Sequence, residues 1–599
     1  VRHYRYRLLL LFPLEGYRIK KIARYMTQGS TTKGIHSNQE IEDVEKVKSE
    51  NEQNETGAKP RRRSSIFQGG SSVFLLEEEE IGDISYHPGK IRLYAPPKQR
   101  QKWGESQVIP RVNWGDTFFG LFFVAAAYSV GNILLNSPSA HGVLYFCGCF
   151  FTVNLMWQMK IFYDSRFAVE DDLLHRLREI LSYALVGTVI LHIRPVKYMS
   201  HPCEHPEMFA FALTTSLFHL LNILSSLEVM YFAEGERDVI RKSARTEIIS
   251  NVVVLGVYLA ATIVSGIDYF HQNHGRLLAG DDEYYKESCP QNDIPMWLCL
   301  GGFLIFNLIS ILRIQFFFPS DGSHKERTAP MNIGLAIHRN GEWIMLMLGE
   351  SILSLLIVDV TQEGSYYVAF FCGILTTILL QQLHYNSQPH DPDHHAMRRN
   401  KDAGIWWNFT NYFYSASLVA VGVSFKLIMY SFTYERRLLQ LEDNNILDER
   451  FLAGPSEKAS SKTIANVFSV SMALTFFFLD AMILFHRGLK ENYGRCVCKR
   501  TKRKNVKGII LIVIRVFLIA FFGTLGQYVT DPSKLAMFGL FGVVAQLSCR
   551  NLGLLFFPGS VKQDSHGAGS EELIEPDGQE QVQPNSTHLD IKSEEKCED

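Results

Sequence analysis

Twelve stretches of mostly apolar residues constrain this chain more than any other feature. Spanning a bilayer takes about 20 such residues, because every backbone polar group must be paired inside its own helix. The stretches lie near 115–135, 141–163, 177–194, 207–232, 246–268, 295–318, 334–358, 365–385, 407–430, 463–485, 508–528 and 533–557. The sequence therefore predicts an all-α integral membrane protein with twelve transmembrane helices. The third stretch is short, so a count of one helix fewer is the alternative.

The remaining residues form two polar tails around this membrane unit. Residues 27–112 and 559–599 are poor in apolar side chains, and such a composition predicts disorder. We expect four regions: an N-terminal cytoplasmic region, two six-helix halves and an acidic C-terminal tail, at 1–112, 113–320, 330–558 and 559–599. A net charge of −2 gives no global attraction to nucleic acid, so the expected partner is the lipid bilayer.

The distribution of Lys and Arg predicts the orientation in the membrane. Loops after even-numbered segments carry 23 basic residues, whereas loops after odd-numbered segments carry 10. Basic residues concentrate in cytoplasmic loops, so both termini are expected to be cytoplasmic. Because the chain begins with Val1, we expect its natural start to be missing, and no targeting peptide can be identified.

Two features concern covalent modification. Ser64 and Ser65 follow three arginines and resemble a basophilic kinase site, with a solvated basic patch as the alternative. The ten cysteines have no regular spacing, which argues against a disulfide framework. Cys203 and Cys289 both lie in predicted outside loops and form one candidate disulfide, with two unpaired thiols as the alternative.

A similar sequence follows the second and the eighth segments. YDSRFAVEDDLLHRLR from Tyr163 and YNSQPHDPDHHAMRRN from Tyr385 share four identities, at Tyr163/Tyr385, Ser165/Ser387, Asp171/Asp393 and Arg176/Arg398. Each half also contains six segments, so the sequence favours a 6+6 parallel repeat with a site between the halves. The alternative is that cytoplasmic helix ends converge on Asp, Arg and Tyr independently.

The same offset places Asp116 of the first segment opposite His338 of the seventh. The repeat predicts that these two helices lie side by side, with Gly120 and Gly341 allowing close approach. A carboxylate beside an imidazole titrates near neutral pH, so the pair is a candidate cytoplasmic gate. A static salt bridge is equally compatible with the sequence.

Ionisable residues inside apolar segments are the main candidates for function. A charge at mid-membrane costs at least about 2.5–3.5 kcal/mol, so each one needs a partner or a purpose. In the seventh segment, His338, Glu342 and Glu350 are spaced to share one broad helix face. Gly349 predicts a close helix approach beside Glu350.

Arg515 lies eight residues into the eleventh segment, too deep to reach the interface easily. It predicts a buried pair with a carboxylate, and Glu350 and Asp480 are the two candidates. For four residues nearer helix ends, snorkelling to the interface is the preferred interpretation: Glu228, Arg313, Lys426 and Asp480.

No cofactor or metal site is expected from the motifs. The chain contains no phosphate-binding loop, nucleophile elbow, H-E-x-x-H motif or dinucleotide fingerprint. The string from His390 to His395 has metal-binding residue types, but a charged helix-capping turn is the preferred interpretation.

Three stretches together resemble the low-temperature-requirement A family of membrane proteins. RVNWGDTFFGLFFVAAAY from Arg111 is similar to the family's W-x-E-L-F-F-D-L-x-F-V opening. Arg166-Phe167, followed by Asp171, Asp172 and Arg176, is similar to its N-R-F-D-T-D-D-x-x-x-R motif, and HRNGEWIMLMLGES is similar to its E-R-F-G-x-x-x-x-x-x-L-G-E-S motif. The resemblance covers about residues 111–557 and implies a multi-pass membrane protein, without a substrate.

The chain departs from the family pattern at its acids. Asp116 replaces the opening Glu, Gly120 replaces an Asp, and His338 replaces a second Glu, while Glu342 adds a carboxylate one turn along. The leading interpretation is a transporter or channel-like protein for a small solute or ion, using carboxylates on the first and seventh helices. The alternative is a membrane-embedded enzyme or scaffold in lipid or envelope adaptation. The sequence does not indicate the oligomeric state.

Overall fold

The computed structural model describes residues 92–103, 114–169, 172–202, 204–279, 290–317, 328–358, 360, 363–389, 395–399, 401–444, 459–493 and 502–556. These residues contain two short strands, β1 (Lys98–Gln99) and β2 (Phe167–Ala168), and two short helices, α4 (Val196–Met199) and α10 (Ala396–Arg399). The twelve long helices are α1 (Trp114–Asn136), α2 (Ala140–Arg166), α3 (Leu173–Leu191), α5 (Glu207–Phe232), α6 (Arg237–Ala279), α7 (Ile294–Phe317), α8 (Ile333–Leu356), α9 (Gly364–Tyr385), α11 (Lys401–Asn444), α12 (Ser461–Tyr493), α13 (Lys502–Tyr528) and α14 (Pro532–Phe556).

Each predicted apolar segment corresponds to one of these long helices. Within the described residues, ten of them are long and apolar enough to cross a membrane. The other two are α3 and α8, whose apolar stretches are interrupted by charged and polar side chains. The predicted class, an all-α integral membrane protein, is confirmed, and the number of membrane crossings stays a prediction.

Polar side chains fix where several helices begin. Ser139 accepts a hydrogen bond from the backbone N–H of Gly142 at 3.3 Å and so caps α2. Asp172 caps α3 through His175 N–H at 2.8 Å, and Asn332 caps α8 through Leu335 N–H at 2.9 Å. Each cap satisfies a backbone donor that the first helical turn leaves without a partner.

A tight turn at Ser137 and Pro138 joins α1 to α2. The turn brings the first residues of α2 close to the backbone of Ser137. A Cβ atom at Gly142 would lie 1.7 Å from the carbonyl oxygen of Ser137, so only glycine fits this position. The turn therefore makes α1 and α2 an antiparallel pair.

The first six and the last six long helices have a similar order of neighbours. In the first set, α1 packs on α2 and α3, α3 on α5, α5 on α6, α6 on α7, and α7 returns to α2. In the second set, α8 packs on α9 and α11, α11 on α12, α12 on α13, α13 on α14, and α14 returns to α9. Between the sets, α1 and α2 contact α8 and α11, and α7 contacts α11.

Aromatic side chains fill the contact between the two sets. The ring of Phe123 on α1 lies 5.5 Å from that of Trp343 on α8, and Trp157 on α2 lies 5.4 Å from Trp343. A Cβ atom at Gly120 would lie 3.5 Å from Leu346 on α8, an ordinary contact. The predicted side-by-side placement of the first and seventh segments is therefore found. Gly341 does not contribute to this contact, since no neighbouring atom of the described residues lies within 4 Å of the position that a Cβ would take there.

Residues Arg92–Trp103 form a strap across the end of the bundle where α2 ends and α3 begins, here called the motif end. In the strap, β1 pairs antiparallel with β2, with Lys98 opposite Ala168. The strap also receives a hydrogen bond from Glu234 N–H and donates one from Trp103 to Thr328. The prediction of disorder through 27–112 is wrong for these residues, because backbone pairing with helix ends orders a polar segment.

Candidate functional site

Buried side-chain amides connect α2, α8 and α11 inside the bundle. Gln158 Nε2 donates to Asn340 Oδ1 at 2.7 Å, and Asn411 Nδ2 donates to the same oxygen at 3.2 Å. Asn154 Nδ2 donates to Ser415 Oγ at 3.3 Å. Among the described residues, the carbonyl oxygens of Asn154 and Gln158 accept no hydrogen bond. These five residues, here called the amide network, place unsatisfied polar atoms at the contact between the halves.

A second polar group lies further along α8. Glu350 is 2% exposed; Ser354 Oγ donates to its Oε1 at 2.6 Å, while Oε2 accepts no described hydrogen bond. Lys426 of α11 is 3% exposed, and its Nζ donates to Asn132 Oδ1 of α1 at 3.3 Å. It also lies 4.7 Å from the ring centre of Tyr128. We call these five residues the Glu350–Lys426 site.

This geometry corrects two interpretations of the sequence. Lys426 does not snorkel to an interface, because its whole side chain is buried against α1. In the described part of the chain, no neighbouring atom lies within 4 Å of the position that a Cβ of Gly349 would take, so Gly349 is not the point of close approach. That point is Gly422 of α11, where a Cβ would lie 2.8 Å from the Cα of Ser351. The neighbouring helix thus approaches α8 on the face beside Glu350.

Arg515 pairs with Asp480 rather than with Glu350. Its Nη1 donates to Asp480 Oδ1 at 2.9 Å, which joins α13 to α12. Of the two predicted partners, Asp480 is therefore correct and Glu350 is wrong. The helices explain the choice, since α13 packs on α12 and α14 rather than on α8.

Three further charged or polar residues of α8, His338, Arg339 and Glu342, lie at the motif end. His338 Nε2 is 3.2 Å from Glu342 Oε1, and Arg339 Nη1 donates to Glu342 Oε2 at 2.5 Å. The side chain of His338 is 50% exposed, whereas Glu350 is buried, so the two residues differ in environment, and the common face of His338, Glu342 and Glu350 stays a prediction. Asp116 lies in α1, but its side chain is outside the described residues, and the Asp116–His338 gate stays a prediction.

The family-like motif after α2 borders a cavity of about 430 Å³. Helices α1, α2, α3 and α5 line it, together with Arg100 of the strap and Asp172 and Arg176 of the motif. We call it the motif chamber. On one wall, Lys160 Nζ lies 2.7 Å from Asp164 Oδ2. Phe119, on another wall, stacks on Trp157, the chain neighbour of Gln158 in the amide network.

A chain of charged contacts runs along this chamber. Asp172 accepts hydrogen bonds from Ala95 N–H of the strap at 2.9 Å and from His175 N–H at 2.8 Å. The two nitrogens of His175 lie 2.5 Å from Asp172 Oδ2 and 2.9 Å from Glu228 Oε1. Glu228 also accepts from Arg178 at 2.8 Å. Burial would raise the pKa of Asp172, but these hydrogen bonds outweigh it and hold the pKa below its ordinary value.

Beside the chamber, Arg166 contributes to a separate cluster. It pairs with Glu247 of α6, which also lies 3.4 Å from Arg313 of α7. Glu228 and Arg313 are therefore paired inside the first six helices, and snorkelling does not describe either of them. We call Arg166, Glu247 and Arg313 the first-half clamp, and Asp480 and Arg515 the second-half clamp.

The corresponding stretch after α9 is described in part. Arg398 is exposed, and its backbone N–H donates to the His395 carbonyl at 2.9 Å. His395 lies directly before α10, where its Nδ1 accepts a hydrogen bond from Met397 N–H at 3.3 Å. Its ring is buried 4.6 Å from Trp407 and 4.4 Å from His486. Burial lowers its pKa to about 3. Six other predicted site residues lie outside the described residues: Ser64, Ser65, Asp171, Cys203, Cys289 and Asp393.

Residues 111–541 match the family model for the bacterial low temperature requirement A protein, LtrA. The chain belongs to the LtrA family. The match begins just before α1 and reaches into α14, so it covers nearly the whole helical bundle. This confirms the family resemblance and the multi-pass membrane architecture. A comparison with curated proteins finds no match, and a comparison with solved structures finds none either.

Proposed function

We propose that this LtrA protein is a transporter or channel for a small solute or ion, with a route between α2, α8 and α11. The single observation that carries the proposal is the Glu350–Lys426 site. A buried carboxylate and a buried ammonium in membrane helices are costly, and such groups commonly mark ion or substrate pathways. The described contacts include no direct ion pair between Glu350 and Lys426, although the two charges act on each other electrostatically.

The amide network supports the same route. Asn340 and Glu350 lie on one helix, ten residues and therefore about 15 Å apart along its axis. The network near the motif end and the charged site further along thus form a series of polar groups through an apolar bundle. Fixed amides with unused oxygens offer coordination to a dehydrated ion or a hydrogen-bonding solute.

The arrangement of the helices supports the 6+6 repeat as part of this proposal. The two sets of six share an order of neighbours, including the return of the sixth helix to the second in each. Transporters built from two parallel halves bind their substrate between the halves. The amide network lies at that contact. In this proposal both termini are cytoplasmic, as the distribution of Lys and Arg predicts.

The test is flux in proteoliposomes containing the purified chain. Wild type is screened with protons, Na⁺, K⁺, chloride, phosphate and amino acids, and the conducted species is then measured in variants. Glu350→Gln keeps the size of the side chain and removes its charge, so flux should fall at least about tenfold, which corresponds to about 1.4 kcal/mol. Glu363→Gln, an exposed position before α9, is the matched control and should leave flux unchanged.

Two results would count against this proposal. Flux in Glu350→Gln equal to that in wild type would exclude Glu350 from the route. Absence of protein-dependent flux for the whole panel, with correctly folded protein in the vesicles, would remove the support for transport of these species.

A further inference from the structure

We propose that the motif chamber is a binding site for a small organic anion, a carboxylate or phosphate on an apolar body. The chamber lies apart from the Glu350–Lys426 site, and its occupancy does not require transport. Its lining carries four Lys or Arg side chains and three carboxylates, and Glu228 contacts the lining residues His175 and Arg178. At about 430 Å³, its volume lies within the usual range of about 300–1,000 Å³ for small-molecule sites.

The carboxylates of the chamber are already engaged. Asp164 pairs with Lys160 on the same helix turn. Asp172 accepts from Ala95 and His175, and Glu179 accepts from the hydroxyl of Tyr183. The acids are therefore satisfied by groups of the protein, and a cationic ligand would have to displace one of these contacts. Among the cations of the lining, Arg178 has guanidinium nitrogens outside its described hydrogen bonds.

Arg178 is the cation best placed for an anion. Its described hydrogen bonds, to Tyr163 Oη at 3.1 Å and to Glu228 at 2.8 Å, both use Nη1. Nε and Nη2 make no described hydrogen bond and are not fully buried, and Arg178 lines the chamber. The Tyr163 ring lies 4.8 Å from the guanidinium carbon and fixes its plane. A guanidinium held in this way presents a fork of donors that matches carboxylate and phosphate oxygens.

Apolar side chains line the rest of the chamber. Three of them are Phe119 of α1 and Phe218 and Leu221 of α5. Tyr183 stacks on Phe119 with ring centres 5.1 Å apart, which makes a flat aromatic wall. An inorganic anion would leave this wall uncovered, whereas an anion with an apolar body covers it and removes apolar surface from water. This is why the proposal names an organic anion.

The test uses the full chain in detergent and measures equilibrium binding by calorimetry. Benzoate and phenyl phosphate should bind saturably, and benzamide, which is similar in shape but neutral, should bind at least about tenfold more weakly. Arg178→Gln should weaken benzoate binding at least about tenfold, because a charge-assisted pair is lost. Arg241→Gln, an exposed arginine of α6 outside the chamber, is the matched control and should bind as wild type does.

Two further measurements keep the proposal falsifiable if Arg178→Gln folds poorly. The double variant Arg178→Gln/Glu228→Gln removes both charges of the pair together and should also lose benzoate. A photoreactive benzoate should crosslink wild type at peptides of α3 and α5. Equal affinity for benzoate and benzamide, wild-type affinity in the variants, or crosslinks confined to other helices would each overturn the proposal.

The anion could come from water or from a lipid headgroup, and one comparison separates these sources. The chain is placed in nanodiscs of phosphatidylcholine with or without phosphatidate. Competition between phosphatidate and benzoate would assign the chamber to an anionic lipid headgroup. Undiminished benzoate affinity in phosphatidate would assign it to a soluble anion. Both results keep the anion site, and the failure of benzoate and phosphatidate alike to bind would overturn it.

Discussion

The first six and the last six long helices share an order of neighbours but differ in where their charges lie. In the first half, a cluster of ionisable side chains lines the motif chamber at the motif end. In the second half, Glu350 and Lys426 are buried well inside the bundle. Helix neighbours are set by apolar packing over many residues, whereas a polar site is set by a few side chains. Two sets of helices can therefore share an order of neighbours and still differ in their polar sites.

The two clamps show the same contrast at smaller scale. Glu247 of the first-half clamp has an arginine on each side, from α2 and from α7. Asp480 of the second-half clamp has one described ion-pair contact, with Arg515, although Arg550 also acts on it electrostatically. If one arginine of the first-half clamp is removed, Glu247 still contacts the other. Asp480 of the second-half clamp depends mainly on its contact with Arg515.

The largest effect should come from removing Arg515. Arg515→Leu leaves Asp480 with its main partner gone, and breaking a buried pair typically costs about 3–5 kcal/mol. Arg313→Leu should cost clearly less, because Glu247 keeps Arg166. The measurement is the free energy of unfolding in mixed micelles.

The double variant Asp480→Leu/Arg515→Leu is the control for this comparison. It removes both charges and should regain most of the stability lost in Arg515→Leu. If Arg313→Leu destabilised the protein as much as Arg515→Leu, the distinction between the two clamps would be wrong.

A smaller effect is expected where α11 crosses α8. A Cβ at Gly422 would lie 2.5 Å from Ser351 Oγ and 2.8 Å from Ser351 Cα, so the helices must move apart. Gly422→Ala should lower the free energy of unfolding by about 1–3 kcal/mol, the usual cost of overpacking. Gly349→Ala, with open space around the added methyl, should stay within about 0.5 kcal/mol of wild type. Equal effects of the two substitutions would contradict the assigned crossing point.

Most of the fold could be predicted from the sequence because it depends on local properties. Length and apolarity of a segment decide whether it becomes a membrane helix, and each predicted segment has its helix. The turn at Ser137 and Pro138 is equally local. The adjacency of the first and seventh helices was predicted from the similar stretches that begin at Tyr163 and Tyr385, a longer-range signal, while the 6+6 repeat itself stays a prediction.

The partners of the charges could not be predicted, because they depend on how each helix is rotated. Arg515 had two plausible carboxylates, and the neighbours of α13 decide between them. Lys426 lies near a helix end in sequence, which favoured snorkelling, yet its side chain turns toward Asn132. The neutral amides were missed for a different reason. They carry no charge, so the cost of a charge inside the membrane does not single them out. Asn340 and Gln158 are nevertheless visible in the sequence as polar residues in apolar segments.

The smallest predicted effect compares one carboxylate at each end of the bundle. Asp172 at the motif end is buried, while Asp293 at the opposite end is partly exposed and accepts hydrogen bonds from His141 and Tyr145. Burial acts to raise both pKa values, but hydrogen bonds outweigh it and hold each pKa below its ordinary value. A carboxyl with a lowered folded-state pKa stabilises the fold above its unfolded pKa of about 3.9, and this stability is lost as the pH falls through the folded value.

Asp172→Asn isolates the part of this stability that comes from charge. Asparagine caps a helix about as well as aspartate, so the variant keeps the cap of α3 and loses only the charge next to the helix N-terminus and His175. At pH 7 the free energy of unfolding should therefore fall by about 1 kcal/mol. Below the unfolded pKa of about 3.9 the difference from wild type should shrink, because Asp172 is then protonated in the unfolded wild-type chain. Asp293→Asn should show the same pH trend with a smaller amplitude, since solvent screens its charge. A loss of stability in Asp172→Asn that is the same at pH 7 and pH 3 would show that the contact with the strap, rather than the charge, is what this residue contributes.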